Sequence, residues 1–355
     1  MGNRISLLKR KFKKDKVDAF LVSDPANLFY LCGYTGSNGM LIVRNNQSKP
    51  TFYTDFRYQE QVKNEVSGCT VKIVNRNLYS DFPLVDIKGI KSFGFESNYL
   101  SYGNYARIKK QLNRIIRLIP NDNYIQSLRE IKDSDELNKI KKAAIITDKV
   151  FQNVITMIKP NITEKDLATE IDYQFMKQCE IAFSTIVAFA ERGAMPHAQP
   201  TNKKLKSGDV IVFDIGAKFQ GYCSDMTRTV VFGKASKKVK EIYNIVLTAQ
   251  KLALNKITAG KTAAEIDGYA RNYIKEKGYG NYFGHGLGHA VGIMVHENPT
   301  LSSKSLDILK PNQTATVEPG IYLPGEFGVR IEDLIVIKER GYENLTKTPK
   351  ELIEL

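Results

Sequence analysis

The first third of the chain alternates short apolar runs with polar or basic segments, and this pattern predicts strands and helices in alternation. The predicted strands are residues 19–22, 40–43 and 51–54, the last two joined through a polar turn at residues 45–46. The predicted helices are the basic amino terminus and residues 56–65 and 101–114. This part, to about residue 127, therefore predicts a small α/β domain.

A helix start near residue 133 marks the expected boundary between two domains. Residues 133–136 (DSDE) place acidic side chains in a first helical turn. The helix is expected to run to residue 157, and Pro160 prevents its extension. A chain of 355 residues is long for a single core. We therefore expect a first domain at residues 1–130 and a second at residues 131–355.

A weak internal repeat follows this boundary. Residues 158–167 (IKPNITEKDL) resemble residues 257–266 (ITAGKTAAEI). Each segment has a helix end, a turn and a T-x-x-[D/E] capping box that starts a new helix. Strands that bear carboxylates follow each helix. The sequence therefore predicts two similar halves with a site between them.

The first half places an acidic residue inside an apolar strand. Residues 210–216 (VIVFDIG) contain Asp214, and an unpaired carboxylate in a buried strand is unfavourable. Gly221 marks a turn and Asp225 follows, so a hairpin would bring the two carboxylates together. Such a pair either shares a proton or binds a metal ion. The alternative is that Asp225 only caps a loop.

The second half has the same arrangement. An apolar strand ends on Glu318, and residues 325–328 supply a turn. The returning segment contains Arg330 and Glu332, which strand alternation places on one face. Two acidic residues on paired strands are therefore expected here as well.

Histidines are concentrated between these two pairs of acids. The chain has four, and His285, His289 and His296 lie within twelve residues of one another. The segment 284–292 (GHGLGHAVG) is neither the H-E-x-x-H zinc helix nor a G-x-G-x-x-G nucleotide loop. An isolated histidine is more often a satisfied polar group than a ligand, but this clustering favours a functional site.

Four carboxylates and an imidazole form a site that suits hard divalent ions. Such a set favours Mn²⁺ or another first-row divalent ion over a thiolate-bound structural zinc. This number of anions suits two ions, held about 3.5–4 Å apart. A pair of ions supplies a nucleophile at neutral pH and polarises a carbonyl, so the predicted chemistry is amide hydrolysis.

Composition and charge exclude several classes of protein. Hydrophobic residues make up 42% and charged residues 25%, as in globular proteins. No apolar run approaches the roughly 20 residues that cross a bilayer, and no signal-peptide pattern is present. We therefore expect a cytoplasmic protein with no membrane partner and four reduced cysteines. The net charge of +14 permits attraction to nucleic acid, but no nucleic-acid-binding motif accompanies it, and we expect no such partner.

These motifs together resemble the pita-bread metallopeptidases, specifically the proline peptidases aminopeptidase P and prolidase. The matching segments are Asp214, Asp225, residues 284–289 (GHGLGH), 295–297 (VHE), 318–322 (EPGIY) and 330–333 (RIED). Residues 23–31 (SDPANLFYL) and 53–58 (YTDFRY) resemble the first domain of creatinase-type relatives. The resemblance implies an α/β (α+β) fold, in which a small creatinase-type amino-terminal domain precedes a pita-bread catalytic domain with pseudo-twofold halves.

The resemblance also implies the metal ligands. They would be Asp214, Asp225, His289, Glu318 and Glu332, with Asp225 and Glu332 bridging two ions. Glu318 would in addition carry the proton of the attacking water. His296 would bind the substrate carbonyl or the developing oxyanion. The ions would be Mn²⁺, with Co²⁺, Zn²⁺ or Fe²⁺ able to occupy the same ligands.

Further matching residues would surround the ligands. The resemblance implies that His197 and His285 line the substrate side and assist catalysis. Tyr322 and Arg330 would orient the first aspartate. Phe183, fourteen residues before His197, would line an apolar pocket.

One departure from the family pattern bears on the substrate. Many relatives have Pro-Arg after the His-Glu segment, with the arginine linked to the free carboxylate of a dipeptide, whereas this chain has Pro299 and Thr300. Threonine does not suit a carboxylate as an arginine fork does. We therefore expect an Xaa-Pro aminopeptidase that acts on short peptides with proline in second position, assembled as a homodimer.

Several alternatives remain at this point. The enzyme could be an Xaa-Pro dipeptidase (prolidase) confined to dipeptides. Methionine aminopeptidases share the fold, but they usually lack the first domain and the His285 and His289 spacing. Creatinase-like amidinohydrolases lose the metal-binding acids, which are all present here. A non-catalytic pita-bread binding module would also be expected to have lost ligands.

Overall fold

The computed structural model describes residues 2–75, 77–80, 82–112 and 116–355. The chain divides into two compact units, Met1–Arg129 and Glu130–Leu355. Within the described residues, none of the helices has both the length and the hydrophobicity that a membrane-spanning segment requires.

The first unit contains a mixed sheet of six strands and five helices among its described residues. Its strands are β1 Ala19–Val22, β2 Met40–Arg44, β3 Thr51–Asp55, β4 Thr70–Val74, β5 Ser92–Phe95 and β6 Arg117–Pro120. Its helices are α1 Gly2–Lys14, α2 Pro25–Cys32, α3 Gln59–Glu65, α4 Tyr102–Gln111 and α5 Asn123–Arg129, with 3-10 turns at Phe56–Tyr58 and Leu84–Ile87. The strand order is β4-β3-β2-β1-β5-β6.

The strand β1 is the centre of this sheet because both its faces are apolar and buried. It pairs antiparallel with β2 and parallel with β5. One face packs in a cluster with Met40, Tyr53 and Phe93. A run that is buried on both faces reads as continuously apolar rather than alternating, which is why the sequence predicts it well.

The predicted elements of this unit are confirmed, with small differences at their ends. The strands begin where the apolar runs begin, and β2 and β3 pair antiparallel as expected. The segment 56–65 divides into a 3-10 turn and α3. In α4, the Ser101 side chain caps the helix, which ends at Gln111. Residues 113 and 114 of the predicted helix lie outside the described residues.

The second unit contains four helices and fourteen strands. Its helices are α6 Ser134–Ile155, α7 Glu164–Met176, α8 Lys237–Leu254 and α9 Ala263–Glu276, with 3-10 turns at Ala190–Ala194 and Gly280–Tyr282. Strands of its first half are β7 Glu180–Ile181, β8 Ile186–Phe189, β9 Val210–Ile215, β10 Ala217–Phe219, β11 Tyr222–Cys223 and β12 Met226–Val231. The later strands are β13 Gly288–Ala290, β14 Glu297–Leu301, β15 Thr314–Val317, β16 Gly320–Leu323, β17 Phe327–Arg330, β18 Asp333–Ile337, β19 Tyr342–Asn344 and β20 Ile353–Glu354.

The capping boxes inferred from the repeat are present. Thr163 and Asp166 cap α7 reciprocally, and Thr262 and Glu265 cap α9 in the same way. Asp133 caps α6 through a third box with Glu136. Such boxes satisfy backbone N–H groups that have no partner within the helix.

The two halves of the unit have similar cores. In the first half, α6 and α7 pack on β8, β9 and β12 through a cluster that includes Phe151 and Phe213. In the second half, α8 and α9 pack on β15, β17 and β18 through a cluster that includes Ile266 and Ile335. Each helix pair therefore supports strands that carry acidic residues.

The strand pairing differs in detail from the simple hairpins expected from the sequence. In the first half, β9 pairs directly with β12, and Asp214 faces Thr227 rather than Asp225. The segment that connects these two strands along the chain forms a small hairpin of β10 and β11. In the second half, β15 pairs with β18 and β16 with β17. Glu332 is thus in the link between β17 and β18 rather than inside a strand. Gly325, with a φ of 76°, makes the β16–β17 turn.

The buried carboxyl group of Glu96 should make the stability of the first unit depend on pH. Its carboxylate accepts hydrogen bonds from the backbone N–H groups of Ser23 and Asp24 at 2.6 and 2.7 Å, and burial raises its pKa from 4.5 to about 7. Since the folded pKa is the higher one, the unfolded state ionises first as the pH rises. The unfolding free energy of this unit should therefore fall by about 3 kcal/mol between pH 4.5 and pH 7 through this group.

The substitution Glu96→Gln should remove this pH dependence, because the amide does not ionise. Hydrogen exchange of the β1 and β5 amides, compared between variant and parent at pH 5 and pH 8, measures the difference. The same substitution at the exposed Glu60 is the control. An equal pH dependence in Glu96→Gln and the parent would contradict the assignment.

Candidate metal centre

An open cavity of about 1110 Å³ lies in the second unit. Its walls contain every residue that the sequence singled out as a site residue. These are Phe183, His197, Asp214, Asp225, His285, His289, His296, Glu318, Tyr322, Arg330 and Glu332. The fold therefore brings together groups that are up to 149 residues apart, which run from Phe183 to Glu332.

The acidic residues enter the cavity from strand ends of both halves. Asp214 lies in β9 and Asp225 directly precedes β12. Glu318 directly follows β15, and Glu332 directly precedes β18. Since Val317 pairs with Asp333, the two glutamates occupy the next position of the same ladder. Asp225 and Glu332 are buried, whereas Asp214 and Glu318 are half-buried.

The strand β13 brings His289 to these acids. A Cβ on Gly288 would lie 2.0 Å from the Thr316 carbonyl oxygen, so only glycine allows this approach to β15. His289 Nε2 is 3.3 Å from Glu318 Oε1 and 3.8 Å from Asp225 Oδ2. Ligand atoms of Asp225, His289 and Glu332 all lie within 4.8 Å of one another. This spacing is suited to a common cation.

The tautomer of His289 directs a lone pair towards the acids. Its Nδ1 is 3.1 Å from the carbonyl oxygen of Ala290. A carbonyl only accepts, so Nδ1 carries the hydrogen and Nε2 is left with its lone pair. Burial lowers the pKa of His289, which favours the neutral ring. A metal-binding histidine typically has this arrangement.

Two carboxylates each have one oxygen held by the protein and one oxygen without a partner. Asp214 Oδ2 accepts from Arg330 Nη2 at 2.6 Å, and Glu332 Oε2 accepts from the Thr227 hydroxyl at 2.8 Å. Asp214 Oδ1 and Glu332 Oε1 are buried and form no hydrogen bond with any described residue. Buried polar atoms are normally satisfied, and a divalent cation would satisfy both oxygens.

Burial and mutual repulsion both disfavour the ionised forms of the acids. Burial, followed by the charges of Glu332 and Asp214, raises the pKa of Asp225 well above its usual range. Burial, followed by the charges of Glu318 and Asp214, does the same for the pKa of Glu332. Burial also raises the pKa of Glu318. A bound cation reverses this balance because it favours the ionised forms. The donor set therefore fits divalent metal.

Arg330 and Tyr322 connect Asp214 to His285. Arg330 Nη1 donates to Tyr322 Oη at 3.0 Å, and its Nη2 holds Asp214. The ring of His285 donates from Nδ1 to the Gly286 carbonyl at 2.8 Å, so its Nε2 accepts from the Tyr322 hydroxyl at 2.8 Å. Arg330 thus holds Oδ2 of Asp214 and leaves Oδ1 without a hydrogen bond from the described residues.

The remaining candidates lie on the solvent side of the cavity. His296 is exposed, and its ring centroid is 4.3 Å from that of His289. His197 is exposed and lines the cavity, and Phe183 is half-buried against Gly216. These groups are accessible to a molecule that enters the cavity.

Sequence reasoning missed several polar residues that support the acids. Thr227 accepts from Arg330 Nε and donates to Glu332, while Thr316 donates to Glu318 and accepts from the His289 backbone. Their only sequence signal is a threonine in a strand next to an acidic residue, which is also common in ordinary strands.

A second missed pair holds the loop that carries His285. Asp267 is fully buried and accepts two hydrogen bonds from Arg271 and one from the Leu287 N–H. Arg271 in turn donates to the His285 carbonyl at 2.6 Å. An Asp and an Arg four residues apart on a helix suggest only a surface ion pair, so the sequence does not reveal this function.

Comparison with known proteins agrees with this geometry. Residues 138–339 match the family model of "Metallopeptidase family M24", and residues 4–131 match that of the "Creatinase/Prolidase N-terminal domain". The chain is 38% identical to the Xaa-Pro dipeptidase of Pyrococcus horikoshii over 99% of each chain.

Two solved structures have similar folds. One is an Xaa-Pro dipeptidase from Bacillus anthracis, with a TM-score of 0.95 and 38% identity over 99% of both chains. The other is an X-Pro aminopeptidase from Thermotoga maritima, with a TM-score of 0.87 and 37% identity over 98% of this chain and 100% of that one. These similarities confirm the expected fold, a creatinase-type domain followed by a pita-bread domain.

The repulsion among the acids predicts opposite effects of Asp225→Asn with and without metal. After treatment with a chelator, the variant should unfold at a higher temperature than the parent, because one buried like charge is removed. On addition of Mn²⁺, its gain in unfolding temperature should be much smaller than that of the parent, because a ligand is lost. Thermal unfolding with and without Mn²⁺ measures both effects.

The control for this experiment is Asp307→Asn. It removes the same charge from an exposed aspartate whose side chain bonds Ser305 and does not line the cavity. It should leave both temperatures close to those of the parent. A Mn²⁺-dependent gain in Asp225→Asn equal to that of the parent would contradict a ligand role for Asp225.

Proposed function

Because the chain belongs to metallopeptidase family M24 and is thus a hydrolase, we propose that it is an Xaa-Pro dipeptidase (prolidase). The observation that carries the proposal is the convergence of four carboxylates and the Nε2 lone pair of His289 in one cavity. Similarity to Xaa-Pro dipeptidases along almost the whole chain supports the substrate class. This proposal replaces the aminopeptidase as the first expectation, because the comparisons favour dipeptidases.

In this proposal the five groups hold two divalent ions, most simply Mn²⁺. The residues that would hold the ions are Asp214, Asp225, His289, Glu318 and Glu332, and Asp225 and Glu332 would be available to both ions. When bound, such ions lower the pKa of a water molecule and polarise the substrate carbonyl. Residues 1–130 and 131–355 are proposed as the two functional domains, and the enzyme is proposed to be a cytoplasmic homodimer.

Glu318 is proposed to move the proton. Its carboxylate is held by the Thr316 hydroxyl at 3.0 Å, and it faces the cavity. A carboxylate at this place can accept a proton from the attacking water and give it to the leaving proline nitrogen. Proton transfer at this carboxylate is required because an amine is a poor leaving group without protonation.

The histidines are proposed to act on the substrate. The cavity wall partly desolvates the His296 ring and lowers its pKa, so the neutral ring has one N–H that can donate to the carbonyl oxygen as negative charge develops. His285, held by Tyr322, and the accessible His197 line the same space. Phe183 offers an apolar contact for a side chain or a proline ring.

One observation favours Xaa-Pro aminopeptidase as a second candidate function. Among the described residues that line the cavity, Arg330 is the one lysine or arginine, and Asp214, Tyr322 and Thr227 occupy its guanidinium. Thr300, opposite His289 in the β13–β14 pair, offers only a hydroxyl. A dipeptide carboxylate therefore has no uncommitted cation in this wall, whereas a longer peptide has no carboxylate at that point.

Hydrolysis by metal-stripped protein re-supplied with Mn²⁺ tests the proposal. We expect Ala-Pro to be cleaved with a higher kcat/KM than Ala-Pro-Ala, and Ala-Ala to be cleaved poorly. Glu318→Gln should lower kcat by at least about 100-fold, in keeping with the loss of a general acid–base. A higher kcat/KM for Ala-Pro-Ala would instead favour the aminopeptidase, and no cleavage of either peptide would contradict both functions.

The substitution Thr300→Arg should shift the preference towards dipeptides. A guanidinium at this position can form a charge-assisted pair with the substrate carboxylate, which is worth about 1.5–3 kcal/mol. The ratio of kcat/KM for Ala-Pro to that for Ala-Pro-Ala should therefore rise by about 10-fold or more. Thr300→Gln, which adds length without charge, is the control. An unchanged ratio in Thr300→Arg would show that this position does not contact the carboxyl end.

A further inference from the structure

Gln250 is a fully buried amide near the carboxyl end of α8, the helix that supports the second half of the unit. Its Nε2 donates to the carbonyl oxygens of Val317 at 3.0 Å and Ile331 at 3.2 Å. These two residues directly precede Glu318 and Glu332. One side chain therefore connects the backbone segments of both glutamates.

The orientation of this amide is determined by the two carbonyls. An amide nitrogen carries two hydrogens, so each carbonyl can receive one. The amide oxygen of Gln250 is buried and has no hydrogen-bond partner among the described residues. A rotated amide would direct that oxygen at two carbonyl oxygens, which is repulsive. The amide oxygen of Gln250 is thus left without a partner, and both amide hydrogens bond the carbonyls that precede the glutamates.

The two glutamate segments are also joined by the β15–β18 ladder, in which Val317 pairs with Asp333, and by the Ile331 N–H, which donates to the Pro319 carbonyl at 3.5 Å. The N–H of Glu318 donates to the Leu287 carbonyl at 2.8 Å, and the N–H of Glu332 donates to the Thr227 carbonyl at 3.1 Å. Each of these bonds fixes one glutamate to a different strand region. The Gln250 amide adds a side-chain link between the two segments where the strand pairing ends, so it helps to fix the distance between their backbones.

The first half has a counterpart in Thr147 of α6. Its hydroxyl accepts from the Ala217 N–H at 3.0 Å and hydrogen-bonds the Ser224 hydroxyl at 2.8 Å. Ser224 directly precedes Asp225, and Ala217 follows Asp214 by three residues. Thr147 and Ser224 are both buried. In each half, therefore, one polar side chain of the supporting helix binds close to the acids: Gln250 at two backbone carbonyls, and Thr147 at the Ala217 N–H and the Ser224 hydroxyl.

We propose that Gln250 and Thr147 are positioning residues that set the spacing of the carboxylates for two divalent ions. They act through the residues that precede the acids: Gln250 through Val317 and Ile331, and Thr147 through Ser224. This inference rests on the proposed metal centre. Ligand spacing matters because carboxylates can bridge two ions only over a narrow range of distances.

Gln250→Met tests this proposal with a matched control. Methionine has a similar shape and removes both donors, together with the unsatisfied oxygen. Gln313→Met is the control, because Gln313 is also a buried glutamine of the same half, but its side chain accepts from the Lys310 N–H in a turn. Binding of Mn²⁺ is titrated in both variants, and the electron paramagnetic resonance spectrum of the loaded proteins reports the magnetic coupling between neighbouring ions.

We expect Gln250→Met to bind Mn²⁺ about 10–100-fold more weakly, as is typical when residues that support ligands are changed. The coupling in its spectrum should change, and Gln313→Met should keep the affinity and spectrum of the parent. Parent-like affinity and coupling in Gln250→Met would overturn the proposal, and so would equal losses in both variants. If the parent itself binds no pair of Mn²⁺ ions, the proposed function fails instead.

Thr147→Val supplies a second test if Gln250→Met does not fold. Valine keeps the branched shape and removes the hydroxyl, whereas Thr147→Ser keeps the hydroxyl. We expect Thr147→Val to weaken Mn²⁺ binding and Thr147→Ser to restore it to within about threefold of the parent. Weakening by both substitutions to the same extent, or by neither, would overturn the proposal for this half.

Discussion

Repulsion among four carboxylates in one cavity is the constraint on which the second unit depends. Asp225 and Glu332 are buried, and burial together with their acidic neighbours raises the pKa of each. Among the described residues of the cavity wall, Arg330 is the one arginine or lysine, and it holds a single oxygen of Asp214. Divalent cations would stabilise four carboxylates in this cavity, because buried like charges are otherwise strongly unfavourable.

The support of these acids follows one physical scheme in both halves. A protein donor holds one oxygen of Asp214 and of Glu332, and the other oxygen is left without a partner. The helices α6 and α8 contribute the side chains of Thr147 and Gln250, which hydrogen-bond residues close to the acids. Preorganisation of this kind limits the rearrangement that metal binding requires, which is the usual function of residues behind a metal ligand.

Local sequence patterns predicted much of the fold and of the site. The apolar run of β1 and the capping boxes at Thr163 and Thr262 depend on neighbouring residues, so the sequence shows them directly. The β10–β11 hairpin between Asp214 and Asp225 was missed because short, weakly patterned strands resemble a turn. Gln250 was missed because a single polar residue in a buried helix face gives no indication of which carbonyls it meets.

Anomalous X-ray diffraction at the manganese edge, on crystals grown with Mn²⁺, would show whether the acids of both halves hold two ions. Two peaks are expected in the cavity, about 3.5–4 Å apart. Asp225 and Glu332 should lie between them, with His289 Nε2 bound to one. A single peak, or peaks away from these residues, would contradict a dinuclear centre built from both halves of the unit.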